Sequence, residues 1–170
     1  MRALVAGIVA VAVSSLLSAQ APAPQAQPPK LFTSAADLAA MVANAKKERK
    51  PDQANFLQPI LQLAPYNANL EYRVAGINAT ASVHEREAEM FLVVEGSGTL
   101  VTGGTLHDER RTNAENLSGS GIDGGTRRRV AKGDYILVPE GTPHWFGEID
   151  GALVLMSIHL PRSAAAGARP

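Results

Sequence analysis

The chain has 170 residues, with 16 basic and 16 acidic side chains and a formal net charge of zero. That balance removes the electrostatic case for a nucleic-acid partner, which needs a basic face. The absence of cysteine excludes thiolate metal sites, disulfide frameworks and cysteine nucleophiles.

From the N-terminus, Met1-Arg2 is a short basic start, Ala3 to Leu17 is an uncharged apolar run, and Ser18-Ala19-Gln20-Ala21 are small or polar. This pattern predicts a secretory signal peptide over 1–19. The run is shorter than the about 20 residues of a comfortable membrane span. Cleavage after Ala19 or after Ala21 fits, and Pro22 beside the second cut favours Ala19. A retained anchor is the alternative. The expected location is a bacterial periplasm or the exterior, and a cysteine-free chain is compatible with the former. Residues 20–32 begin as a run of Pro, Ala and Gln that reads as a semi-rigid spacer.

The segment 33–50 carries one predicted helix, from about 34 to 49. Ser34 caps it, with Asp37 three residues on. Leu38, Met41 and Val42 follow at helical spacing. Lys46, Lys47, Arg49 and Lys50 suit its C-terminal dipole, and Pro51 stops it.

Beyond Asn55 the signals are β. Phe56 to Leu63, interrupted by Pro59, predicts an edge strand. Leu70, Tyr72 and Val74 alternate with Glu71 and Arg73. Met90 to Val94 is a strand, Glu95-Gly96-Ser97-Gly98 a turn, and Thr99 to Thr102 a second strand. Residues 103–125 read as a long loop. Arg127 to Ala131 and Tyr135 to Val138 are strands parted by a turn at Lys132-Gly133-Asp134. After Pro139-Glu140-Gly141, His144-Trp145-Phe146 opens a strand. Asp150-Gly151 signals a hairpin, and Leu153 to Leu160 returns. The tail at 163–170 reads as disordered. Many short strands with regular turns indicate a sandwich or a barrel.

Two motifs choose between them. Gly76 is followed by five residues, then Ser82-Val83-His84; four residues later comes Glu89, and six later Gly96. Gly133 is followed by five residues, then Pro139-Glu140-Gly141; two residues later comes His144, and three later Glu148. These spacings resemble both motifs of the cupin superfamily, over about residues 54–162. The resemblance implies an all-β fold, the double-stranded β-helix or jelly-roll barrel, preceded here by one N-terminal α-helix. It also implies a divalent transition metal such as Fe(II), Mn, Ni or Zn, held in typical members by three His and one Glu. Carried over residue by residue, the ligands are His84, Glu89 and His144. Ser82 stands where the family has its first His, and Glu148 where it has Asn.

Pattern alone supports a site. Glu89 shares a strand face with Phe91 and Val93, so its carboxylate sits on an apolar strand. Leaving it there unpaired costs several kcal/mol. Two histidines and one carboxylate suit a transition metal with positions open for substrate. Ser82 could fill the vacant place through a water. The alternative is a metal-free pocket, with Glu89 hydrogen-bonded to His84 or His144.

The hairpin register places Ser157 opposite His144 and His159 opposite Thr142, so both point inward with His144. His159 is then a pocket residue and candidate acid or base; a one-residue slip turns it outward. Tyr72 and Phe91 are expected pocket walls by the same parity. His107 is expected to be solvated. Arg127 and Arg129 share one strand face and Arg128 takes the other, with solvation the simplest reading of all three. The Gly119–Gly125 stretch lacks the Lys-Ser or Lys-Thr of a phosphate loop, and no G-x-S-x-G elbow is present.

Two functions follow. One is a metal-dependent enzyme of oxygenase, isomerase or lyase type acting on a small oxygen-rich or aromatic molecule. The other is a non-catalytic module that binds or senses a small ligand, which the Ser82 replacement favours. A weaker third reading is a structural partner in an envelope complex. The apolar Met90, Leu92 and Val94, opposite the Glu89 face, need cover from the helix, a second sheet or a partner. A homodimer is the partner the resemblance implies.

Overall fold

The computed structural model describes residues 28–77 and 79–162. The signal peptide expected at 1–19, most of the spacer and the tail at 163–170 lie outside the described residues. Among those described, no helix is long and apolar enough to cross a membrane.

Helix α1 spans Ala35–Glu48. The Asp37 N–H donates to Ser34 Oγ at 3.1 Å, and the Ser34 N–H donates to the Asp37 carboxylate at 3.2 Å. The two free donors at the helix start are thus satisfied reciprocally, as the sequence predicts. Val42 and Ala45 form its buried face. They pack on Ile60, Ala68, Leu70 and Val154.

Eleven strands follow: β1 Asn55–Leu63, β2 Tyr66–Val74, β3 Ala81–His84, β4 Glu87–Thr102, β5 Thr105–His107, β6 Arg110–Arg111, β7 Asn116–Gly119, β8 Gly121–Asp123, β9 Thr126–Ala131, β10 Tyr135–Val138 and β11 His144–Pro161. The long strands β4 and β11 pair antiparallel along their length. Their ends nearer Glu89 and His159 carry β2, β1 and β10. Their ends nearer Thr102 and His144 carry β3, β7, β6 and β9. The two halves face each other, because one core cluster draws Phe91, Val93, Val138, Leu153 and Leu155 from the first and Leu100, Val130 and Phe146 from the second. β1 is an edge, as Pro59 implies, and its register shifts between Pro59 and Leu61.

Three expectations are corrected. Residues 95–98 are not a turn: β4 runs through them, bent where Gly96 takes φ +82°. Gly98 lets the backbone of Glu148 approach, since a Cβ there would lie 2.7 Å from the Glu148 carbonyl oxygen. Asp150-Gly151 is not a hairpin either. Ile149 faces Gly98 and Leu153 faces Gly96, so residues 150–152 bulge from one continuous strand. A positive-φ glycine serves a bulge as well as a turn, and Gly151 has φ +72°. Finally, 103–125 is not one loop. It holds β5 to β8, with Leu106, Leu117 and Ile122 packed beside Ala81, Val83 and Trp145. The apolar residues that fix these short strands are isolated among polar ones, which leaves no periodic signal.

Candidate metal centre

The register between β4 and β11 sets the site. Glu89 faces His159 and Phe91 faces Ser157 across the pair. β3 lies on the other side of β11, with Ser82 opposite His144. Since directly paired residues share a face, Glu89, His159, Ser82, His84 and His144 all belong to the barrel interior.

There the side chains converge. His84 Nε2 lies 3.2 Å and His144 Nε2 3.1 Å from the same oxygen, Glu89 Oε2. His159 Nε2 lies 3.3 Å from the other oxygen, Glu89 Oε1. Donor atoms of His84, Glu89 and His159 all fall within 4.8 Å of one another. The second nitrogen of each ring is held from behind. His84 Nδ1 meets Asn116 Oδ1 at 2.8 Å, His144 Nδ1 the Thr142 carbonyl at 3.2 Å, and His159 Nδ1 the Glu87 carboxylate at 2.9 Å. Such outer partners fix ring orientation. Glu89 and His144 are buried, whereas His84, His159 and Glu87 stay partly exposed and form the open side.

Burial disfavours charge on Glu89. Hydrogen bonds from His144 and His84, with the charges of His144 and His159, overcome that and hold its carboxyl down to about 2. Burial also works against a charged His84, but its contacts with Glu89 and Asn116 outweigh it and raise its pKa.

The donor set fits a metal ion. A neutral imidazole has one N–H and one lone pair. For His144 both nitrogens face acceptors of fixed identity, a backbone carbonyl and a carboxylate. For His159 both face carboxylates. Neutral rings can satisfy only one side each. A single cation seated between the Nε2 atoms and Glu89 would complete the set. Imidazole nitrogens with a carboxylate favour transition metals over Ca or Mg.

Of the expected trio, His84 and Glu89 fall in the group of mutually close donor atoms, whose third member is His159; His144 meets Glu89 but is not in that group. His159 faces inward as expected, but it reaches the interior through its pairing with Glu89, not through the hairpin register, which is absent. Ser82 shares the inner face with His84. Phe91 is buried, with its ring 5.9 Å from that of His144 and edge-on to Phe146 at 5.1 Å. Ser157 is fully buried one row deeper, and its Oγ has no hydrogen-bond partner. His107 is exposed, as expected.

Tyr72 is a correction. It packs in the cluster beneath helix α1, with Leu70 and Val154, on the outer face. The odd-numbered residues of β2 face inward instead, and Glu71 forms a buried ion pair with Arg73 at 2.6 Å. Both faces of β2 are covered, so alternation alone does not tell inside from outside. Glu87 and Asn116 were also missed. Glu87 was within reach, two residues from Glu89 on one strand face. Asn116 sits in a segment without periodicity.

No protein-family model matches the chain, and no curated protein matches it. Solved structures do. The DMSP lyase DddQ from Ruegeria pomeroyi is similar at a TM-score of 0.51 and 17% identity, over 83% of this chain and 70% of that one. A Klebsiella pneumoniae protein with a double-stranded β-helix domain gives a TM-score of 0.48 and 14% identity, over 69% and 85%. The Cnp3 cupin domain of Schizosaccharomyces pombe gives 0.45 and 14%, over 68% and 71%. The likeness to DddQ is one of fold alone, and the fold of the described residues is the double-stranded β-helix with one N-terminal helix that the two motif spacings lead one to expect.

Proposed function

We propose that the chain is an exported metal-binding cupin in which His84, Glu89, His144 and His159 hold one divalent transition metal ion, and that it acts as a small-molecule metalloenzyme. One observation carries this reading: three Nε2 atoms meet one buried carboxylate, while the opposite ring nitrogens are occupied. His159 fills the place that Ser82 leaves in a three-histidine set, from β11 instead of β3. When bound, the metal would supply Lewis acidity toward a substrate oxygen.

The chain's own residues supply the rest. Glu87 accepts from His159 Nδ1 and turns its Nε2 toward the centre. Asn116 and the Thr142 carbonyl do the same for His84 and His144. Phe91 and Val138, both buried, give the centre an apolar wall. The partly exposed His84, His159 and Glu87 mark where a substrate would enter.

A second reading, a ligand-binding barrel without turnover, is favoured by the fact that Glu89 already contacts every imidazole of the cluster. The discriminating experiment is loading with Fe(II), Mn(II), Ni(II) or Zn(II) in turn, followed by water-proton relaxation of the Mn(II) form. The enzyme reading expects stoichiometric metal with at least one rapidly exchanging water. Metal without exchangeable water favours the binding module, and no uptake of any ion removes the metalloenzyme.

Export is tested by N-terminal sequencing of the protein from a periplasmic fraction, with a start at Gln20 expected. A homodimer is proposed through Leu57, Leu61 and Leu63 of edge strand β1 with Leu31 and Phe32, all exposed apolar side chains. Light scattering of the purified chain decides it: twice the chain mass supports the dimer, a monomer mass refutes it.

A further inference from the structure

The arginine run at 127–129 divides by face. Arg127 pairs with Glu148, and Arg129 with Asp150. Arg128 lies opposite Leu100, a core residue, and so shares its strand face, with its own side chain exposed. Among the described residues its guanidinium has no carboxylate partner. It borders a cleft of about 460 Å³ between β9 and β10, the two strands that edge the facing sheets beyond β4. That volume suits a small ligand. Leu100, Val130 and Ile136 give the cleft apolar walls, and Thr102, the exposed Tyr135 and Leu137, and Arg129, already paired with Asp150, line it as well. Thr102 is the direct cross-strand neighbour of His144. Ile136 is the neighbour of Phe91, whose ring stands beside that of His144. Asp134 also lines the cleft, but its carboxylate already accepts from the Ala131 N–H at 2.8 Å.

We propose that this cleft is the subsite for a small organic anion, its carboxylate held by Arg128 and its apolar body lying along Leu100, Val130 and Ile136 toward His144. An unpaired guanidinium offers planar, bidentate capture of a carboxylate. Apolar walls behind it select a hydrocarbon or aromatic body over a polyhydroxylated one. The inward direction of the ligand rests on the reading of His144 as part of the metal centre; the anion site itself does not.

The test is titration of 4-fluorobenzoate into the Zn(II)-treated protein, followed by fluorine NMR, with metal content measured on the same samples. Saturable binding is expected, weakened about tenfold or more in Arg128→Gln and partly restored in Arg128→Lys. Arg110→Gln removes another arginine without a carboxylate partner, on β6, and leaves binding unchanged. Neutral 4-fluorobenzamide binds about tenfold more weakly or worse. Replacing Zn(II) with Mn(II) speeds relaxation of the bound fluorine. Absence of saturable binding, equal binding of the benzamide, or equal losses in the two glutamine variants overturns the subsite. Absence of a Mn(II) effect, with Mn(II) bound, overturns the inward orientation. Retained 4-fluorobenzoate binding in protein that takes up no metal overturns the metal reading and spares the subsite.

Discussion

Glu89→Gln is the most informative single substitution, because it keeps the shape of the side chain and removes its charge. In the metal-free protein the Glu89 carboxyl is lowered from 4.5 to about 2. That difference of about 2.5 units, at about 1.4 kcal/mol per unit, amounts to about 3 kcal/mol favouring the ionised folded form. The amide accepts weaker hydrogen bonds and carries no charge, so near pH 6 the metal-free variant should lose about 2–3 kcal/mol of unfolding free energy. A metal adds a second term. An ion bound only by the folded state, at about a thousandfold excess over its Kd, stabilises by about 4 kcal/mol. The variant should lose most of that as well. Urea denaturation of both proteins, in chelator and with Zn(II), separates the terms. Wild type should be more stable in chelator and gain further with Zn(II); the variant should be weaker in chelator and gain little. Equal stability in chelator would refute the electrostatic account of Glu89. A wild type indifferent to metal would leave only hydrogen bonding between the imidazole rings and the carboxylate.

Three further outcomes follow from the same geometry. In chelator, stability should peak between about pH 4.5 and 6.5: the lowered Glu89 contributes above 4.5 and is lost as pH falls toward 2, whereas the raised His84 contributes below 6.5 and is lost as pH rises. Metal should move that optimum upward, since ligation needs unprotonated imidazole, and melting curves across pH with and without Zn(II) would show it. Glu87→Gln should weaken metal affinity about tenfold through the orientation of His159, and His159→Ala should weaken it more; competition with a chromophoric chelator measures both, and an unchanged affinity in each would remove His159 from the centre. Gly96→Ala should cost about 3 kcal/mol or abolish folding, because a Cβ there would lie 1.9 Å from the Ala152 carbonyl oxygen at φ +82°; a loss below about 1 kcal/mol in denaturation would contradict the bent path of β4.

The fold was legible because two motifs fixed the distances between glycines, polar site candidates and turns over about residues 54–162. The same motifs made His84, Glu89 and His144 candidates, and in the structure both imidazoles meet the Glu89 carboxylate. What failed was local. Gly96 and Gly151 each signal a reversal, yet here they bend and bulge two long strands, and only pairing over many residues distinguishes the cases. Tyr72 failed because helix α1 gives β2 a second covered face, so apolar and inward ceased to be the same. Glu71 and Arg73, the polar members of the β2 alternation, are a buried pair. His159 was placed correctly by a register that does not exist; its true neighbour, Glu89, lies seventy residues earlier. Arg128 shows the reverse: strand parity alone separated it from its neighbours, and the structure supplied the cleft.

The claim at the centre is that four side chains of this barrel hold a metal, and elemental analysis of the purified protein beside a His84→Ala, His144→Ala double variant tests it most directly. The account predicts close to one transition-metal ion per chain in the first and none in the second. No metal in either, after exposure to Fe(II), Mn(II), Ni(II) and Zn(II) in turn, would contradict it.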